Sequence, residues 1–347
     1  MKLYMGRLRR AAALVAVSMA AVLPAAAHAA SVNIYSYREE VLIRPILEAF
    51  TKETGIKTNL VSGKAEALLE RLKAEGANSP ADVLLTADVA RLVMAKEAGV
   101  LQPVQSEILE QAIPATYRDD ENMWFGVSKR ARVIFYAPDR VKESELSTYE
   151  DLADPKWKGR ICVRSSSAVY NQSLVADLIS RNGAKATEEW ARKLVGNLAR
   201  RPQGGDRDQI KAVAAGECDI GIANTYYYFG MISEPEGSAD RQAAEKVAIF
   251  WPNQGGKGGV HVNVSGGGVT KSARNKAEAI KLLEFMVSEK AQQIYANIIY
   301  EYPMREGVEP APVVRRHGSF EANTTPLPTY AKFGREAMMI FDRVGWR

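Results

Sequence analysis

The chain has 347 residues, with 46 Lys and Arg against 41 Asp and Glu, and only two Cys and three His. Four of the bases (Lys2, Arg7, Arg9 and Arg10) crowd the first ten residues, where no acid stands. The remainder is therefore close to neutral and makes no case for a nucleic-acid surface. So few Cys and His also exclude the usual zinc donor set and leave little for a catalytic triad.

In chain order, the basic start is followed by an apolar run from Ala11 to Pro24 and by Ala27-His28-Ala29, an A-x-A cleavage pattern. Residues 1–29 read as a cleaved signal peptide, which implies export. The apolar run is shorter than the roughly 18 to 20 residues of a membrane span, and no later segment is long and apolar enough to be one. What remains is long enough for two domains with sizeable cores.

Strands then alternate with amphipathic helices. Val32 to Tyr37 reads as a strand, Leu42 to Thr54 as a helix stopped by Gly55, and Thr58 to Val61 as a strand. Ala65 to Ala74 is a helix, Asp82 to Leu85 a strand and Val89 to Ala98 a helix. Trp124 to Tyr136 is a long strand placed to pass from one lobe to another. Ile161 to Val163 opens a second series, with helices over Ser173 to Ile179 and Thr187 to Leu198. Ile220 to Ala223 is a strand running into Tyr226, Val262 to Val269 a return strand, and Lys276 to Glu289 a helix. Strands separated by helices argue for βαβ units and mainly parallel sheets. The two series divide the chain into a lobe of residues 30–129 plus 254–304 and a second of 130–253 plus 305–347. Cys162 and Cys218 stand in strand-like runs, where they could pair in an oxidising compartment or pack as buried thiols.

Ligands of open α/β sheets bind beyond the carboxyl ends of strands. Four unusual runs fall there or in the crossing segment: Tyr35 to Glu40, Lys129-Arg130-Ala131-Arg132, Arg164 to Ser173 and Asn224 to Phe229 with its three consecutive Tyr. Aromatic runs mostly serve packing, and serine before a helix mostly caps it. Their coincidence at strand ends favours a site. Phenolates are hard donors that ionise at neutral pH only beside a strong positive charge. They suit a hard, highly charged cation, and three of them balance a ferric ion. Calcium would call for clustered carboxylates.

These runs resemble the periplasmic ferric-ion-binding proteins of ABC transporters, which have the type II periplasmic-binding-protein fold. The resemblance spans nearly the whole exported chain. It is carried by NIYSYRE, SKRARVIFY, GRICVRSSSAVYNQSLVA, GECDIGIANTYYYFG and GGVHVNVSGGGVTKSARN. It implies a two-lobed α/β fold with the ligand cleft between lobes. It implies Tyr170, Tyr226 and Tyr227 as ligands of Fe(3+), with a small synergistic anion such as carbonate held by Arg38 and Arg130. One branch of the family places a His ligand just after the first strand. Here that region reads Tyr37-Arg38-Glu39, which favours the all-tyrosine branch and leaves Tyr37 as a further candidate contact. The implied partners are the permease and ATPase of an ABC importer, the compartment is the periplasm, and the expected state is a monomer. Two other readings compete. One is a receptor for another small solute (polyamine, thiamine or an oxyanion) on the same fold. The other is an enzyme, against which stands the lack of a G-x-S-x-G elbow or an H-E-x-x-H helix.

Overall fold

The computed structural model describes residues 30–347, so the expected signal segment lies outside the described residues. The first half-sheet is built from β1 (Ser31–Ser36), β2 (Lys57–Ser62) and β3 (Val83–Thr86). The helices α1 (Glu40–Thr54), α2 (Ala65–Glu75), α3 (Val89–Glu97) and α4 (Glu107–Ala112) alternate with these strands or follow them. Each helix buries one apolar stripe; in α1 it is Ile43, Ile46, Leu47 and Phe50, and Gly55 ends the helix in the left-handed conformation.

The long strand β4 (Phe125–Tyr136) leads into a second series. This contains β5 (Ile161–Cys162), α5 (Val169–Asn182), α6 (Ala184–Gly196), α7 (Asp206–Ala215), β6 (Ile220–Asn224), α8 (Thr225–Ile232), α9 (Ala239–Ala244) and β7 (Ala248–Phe250). The chain returns along β8 (Val262–Val269) and continues through α10 (Lys276–Met286), α11 (Glu289–Ile294), a π-helical turn at Tyr295–Ile299 and β9 (Tyr302–Pro303). It closes with α12 (Pro312–Arg315), α13 (Thr329–Lys332) and α14 (Gly334–Val344).

The strand order is β2-β1-β3-β8-β4-β6-β5, with β7 and β9 also paired to β4. β1 pairs in parallel with β2 and β3, and β5 in parallel with β6. β8 and β4 are antiparallel to their neighbours. One strand thus serves both halves: residues 125–131 of β4 pair with β8, and residues 132–136 pair with β6. In the second half, alternate residues of β4 feed opposite faces: Val133 and Phe135 join one core, Ile134 and Tyr136 the other. The carboxy-terminal segment touches both halves, since Leu327 and Tyr330 pack in the core of the first and Ile340 and Phe341 in the second.

Three expected elements differ in detail. Ile220 to Tyr226 does not continue as a strand: the ladder ends at Asn224, whose N–H turns aside to donate to Asp206 Oδ1 at 2.9 Å, and α8 begins at Thr225. α5 begins at Val169 rather than Ser173, which puts Tyr170 in its first turn. The helix from Lys276 breaks at Val287, and Ser288 caps a separate α11 by accepting from the Ala291 N–H. The Gly266-Gly267-Gly268 run has a packing cause: a Cβ at 267 would stand 2.5 Å from Leu85 Cδ2, and one at 268 would stand 2.5 Å from Met123 O.

Cys162 and Cys218 form a disulfide that closes a loop of sequence separation 56 and ties β5 to the approach of β6. On the chain-entropy argument a loop of this size stabilises by about 4 kcal/mol. The Cys162→Ser/Cys218→Ser double variant should lower the unfolding free energy from a denaturant titration by about that amount, moving the midpoint down, and so should the reduced wild type. An unchanged midpoint would remove the staple from the account of stability.

Candidate metal centre

Five segments converge at the carboxyl ends of parallel strands, where this architecture places ligands. Tyr37, Arg38 and Glu39 follow β1, Ala87 follows β3, Arg164 follows β5, Tyr170 opens α5, and Tyr226 and Tyr227 open α8 after β6. With Leu42 they line a cavity of about 100 Å³. The start of α8 adds a favourable field for negative charge, because its first N–H groups face the same region and the helix dipole is positive there.

The phenols are brought together across 56 residues of sequence. The Tyr170 and Tyr226 hydroxyls are 3.1 Å apart and share a hydrogen bond. Adjacent oxygens of an octahedral site with bonds of about 2.1 Å lie roughly 3 Å apart, so the pair already has the spacing of two ligands on one ion. The Tyr226 and Tyr227 rings lie against each other at a tilt of 33°, with centroids 4.2 Å apart. The Tyr227 hydroxyl donates to Glu39 Oε1 at 2.9 Å. Tyr228 turns away: its hydroxyl donates to Val247 O at 3.3 Å and its ring lies against Phe135. A helix rotates successive side chains by about 100°, so three consecutive residues cannot share one target.

Comparison with known proteins places this architecture. Residues 78–317 match the bacterial extracellular solute-binding proteins. The chain belongs to that family. Iron uptake protein A1 of Synechocystis is 52% identical over 91% of this chain and 87% of its own length. A Trichodesmium protein solved in complex with iron and citrate ligands superposes with a TM-score of 0.84 at 50% identity, covering 91% of this chain and all of that one. The apo ferric ion-binding protein A of Pasteurella haemolytica gives 0.87 at 44% identity, covering 91% and 98%. The fold is accordingly the two-lobed type II arrangement of periplasmic ferric-binding proteins. Among the described residues no helix of this solute-binding protein is long and apolar enough to cross a membrane.

The two arginines expected to hold an anion sit differently. Arg38 lines the cavity, but its Nη2 pairs with buried Glu301 at 2.8 Å and its Nη1 donates to Ser265 Oγ at 2.5 Å. Arg130 lies deeper, beneath Tyr170, with its guanidinium 5.4 Å from that ring centroid. It faces Asp88 at 3.5 Å, and Asp88 also accepts from Ser173 Oγ at 2.7 Å and Asn263 Nδ2 at 2.9 Å. Arg38 Nε and Arg130 Nη1 have no partner among the described residues, so each keeps one donor for an oxyanion. Tyr37 is half-buried on the cavity wall. His261, which sequence reasoning leaves outside the site, is buried against Asp177 at 3.3 Å.

Sequence reasoning flagged the runs that carry Arg132 and Arg164 but missed their carboxylate partner Asp206, and it missed Glu301. Arg132 is fully buried under Tyr170 and donates from Nη1 to Asp206 and Asn224 Oδ1, both at 2.9 Å, and from Nη2 to Asn171 Oδ1 at 2.7 Å. Its partners Asn171 and Asn224 flank Tyr170 and the start of α8, so this one side chain fixes the two helix starts relative to each other. Asp206 also pairs with Arg164. Burial opposes its charge, but the two guanidiniums hold its carboxyl below the usual range. Glu301 is delivered by the π-helical turn and by Tyr300, which adopts φ 61°. Nothing in DRDQIK or IIYEYP signals any of this; the buried partners become visible only once strands distant in sequence are adjacent.

Burial pushes the Tyr226 and Tyr227 phenols well above their ordinary value, and neighbouring phenol and carboxylate charge adds to it. Tyr37 moves the same way for the same first reason. The metal-free protein should therefore hold Tyr226 and Tyr227 neutral while exposed phenols ionise. In an ultraviolet titration of metal-free protein to about pH 11, Tyr226→Phe and Tyr227→Phe should lose no ionisation step relative to wild type. Loss of a step near pH 10 in either variant would contradict the buried, protonated state.

Proposed function

We propose that this chain is a periplasmic receptor that captures ferric ion, together with a small oxyanion, and delivers it to the permease and ATPase of an ABC importer. Tyr170, Tyr226 and Tyr227 serve as its ligands, Arg38 and Arg130 as donors to the anion, and Tyr37 as a wall residue within reach. The observation that carries the reading is the convergence of three buried phenols on one small cavity, two of them with ligand spacing. Buried phenols that lack a cation have no evident use, and hard oxygen donors match a hard trivalent ion. The relatives and solved neighbours named for iron support the same cargo. The donor set offers no nucleophile with a positioned base, so the role is binding rather than catalysis.

The lobes in this reading are residues 30–129 plus 254–304 and residues 130–253 plus 305–347, acting within a monomer. The three ligands belong to the second lobe, which takes the ion first, and Arg38 and Glu39 arrive when the first lobe closes over it. The shared strand β4 and the start of β8 are the hinge.

Two outcomes test the cargo and its ligands. Protein loaded with ferric ion should show a visible phenolate-to-iron band. Tyr226→Phe and Tyr227→Phe should each remove most of that band and weaken ferric binding by roughly 100-fold or more. Groups that merely support a ligand already cost 10- to 100-fold when lost. Tyr228→Phe should leave both unchanged and lose only about 1 kcal/mol of stability from its hydrogen bond to Val247. Unaltered colour and affinity in both ligand variants would refute the site.

The second outcome concerns acid. The Tyr226 and Tyr227 phenols carry protons in the metal-free state and lose them on loading, so binding releases protons. With three phenolate ligands one proton is displaced by each, so affinity must rise with pH and fall as pH drops by about 1,000-fold per unit. Iron-competition titrations between about pH 5 and 8 measure that slope; a flat profile would show that phenolates are not the ligands.

A further inference from the structure

We propose that Arg164 anchors the oxyanion that accompanies the metal, because it lines the cavity, shares its one buried carboxylate with a second arginine and keeps an unpartnered donor edge. This rests on the ferric reading above and extends it to a residue that reading does not use.

The argument is one of charge balance. Four arginines surround the three phenols. Arg38 is matched by Glu301 and Arg130 by Asp88, each in a buried pair. Arg132 and Arg164 share a single carboxylate, Asp206, which takes Arg132 on Oδ1 and Arg164 on Oδ2. Among the buried carboxylates alone, one positive charge is in excess on that triad; Glu39, exposed on the cavity wall and hydrogen-bonded to Tyr227, brings the count to four arginines and four acids. A ferric ion and three phenolates are neutral together, and an added oxyanion brings negative charge into a place where unbalanced charge is costly. Arg38 and Arg130 can donate hydrogen bonds to it, but each brings its own carboxylate.

Within the triad, geometry selects Arg164. Arg132 is 1% exposed and engaged with Asp206, Asn171 and Asn224. Arg164 lines the cavity, is 22% exposed, and lies with its guanidinium 5.3 Å from the Tyr170 ring centroid. Asp206 occupies only its Nη1. Its Nε has no partner among the described residues, and no protein acceptor meets its Nη2 there. That Nε/Nη2 edge is the fork with which arginine grips a planar carboxylate-like group through two parallel bonds. The ligand chemistry is thus a carbonate or the carboxylate of a small organic acid such as citrate.

The test uses the full exported chain as wild type, Arg164→Gln and Arg164→Lys, loaded with ferric ion in anion-free buffer. Bicarbonate and citrate are titrated separately while the visible band is followed. Arg164→Gln should need about tenfold more anion for half its spectral shift, with Arg164→Lys between it and wild type, because lysine keeps the charge and loses the fork. The displacement should exceed any change in anion-free iron affinity. Displacement in the bicarbonate arm alone assigns carbonate, in the citrate arm alone a polycarboxylate, and in both a shared carboxylate grip. If Arg164→Gln does not fold, Arg164→Lys alone decides, through the same rightward shift. Identical anion titrations in wild type and variants overturn the proposal. So does an equal loss of iron binding with and without anion that lysine fails to rescue, which is the mark of a structural residue. A wild type with no ferric band would instead bring down the ferric reading itself.

Discussion

Backbone hydrogen bonding by a single strand underlies the rest of this structure. β4 gives residues 125–131 to one half-sheet and residues 132–136 to the other, and β8 begins beside the changeover, where the Arg132 N–H donates to His261 O. The two halves are therefore neither independent domains on a loose linker nor one rigid slab. The ladder partners of β4 change between residues 131 and 132, so a continuous backbone joins the halves there. The same crossing carries Arg130 and Arg132, which lie beneath Tyr170. The arginines beneath Tyr170 thus sit on the strand that joins the two halves.

The second theme is how much charge the protein buries to support so few ligand oxygens. Asp88, Asp206 and Glu301 are each almost inaccessible and each meets arginine. Such pairs contribute little to stability once desolvation is counted, and breaking one partner is what costs. Their value here is geometric. Asp88 stands at the start of α3, and the Ser173 hydroxyl that it accepts belongs to α5 of the other half. Asp206 and Arg132 together fix the starts of α5 and α8, so the spacing of the Tyr170 and Tyr226 oxygens is set by an array of fixed dipoles and not by the tyrosines themselves.

Much of this was legible from residue order alone. Period-2 and period-3.6 patterns place most strands and helices, because each buries one face and local sequence records which. The tyrosine run stood out because it follows an apolar strand, at the end where this architecture places ligands, although aromatic runs mostly serve packing. The pairings of the residues around it were not legible. Arg164 reads as the polar start of a serine loop, Asp206 as the first turn of a solvated helix, and Glu39 as one of two acids on a surface. Their partners lie 42, 74 and 188 positions away, and a pattern read over a dozen residues cannot register that. The break between Asn224 and Thr225 was hidden for the same reason, since the group that ends the strand comes from α7.

The disulfide has a consequence beyond stability. Cys162 and Cys218 are the only cysteines in the chain, and both are bonded. Cys162 sits two residues before Arg164, on the strand that leads into the cleft. A free thiol there would be a soft donor and an electron source within the fold. Oxidised, the pair offers neither, and an ion captured in the cleft meets no free thiol of the protein. The bond that closes the second half-sheet thereby also keeps thiol redox chemistry away from the cargo. A thiol that reduces the ion would then have to come from outside the polypeptide.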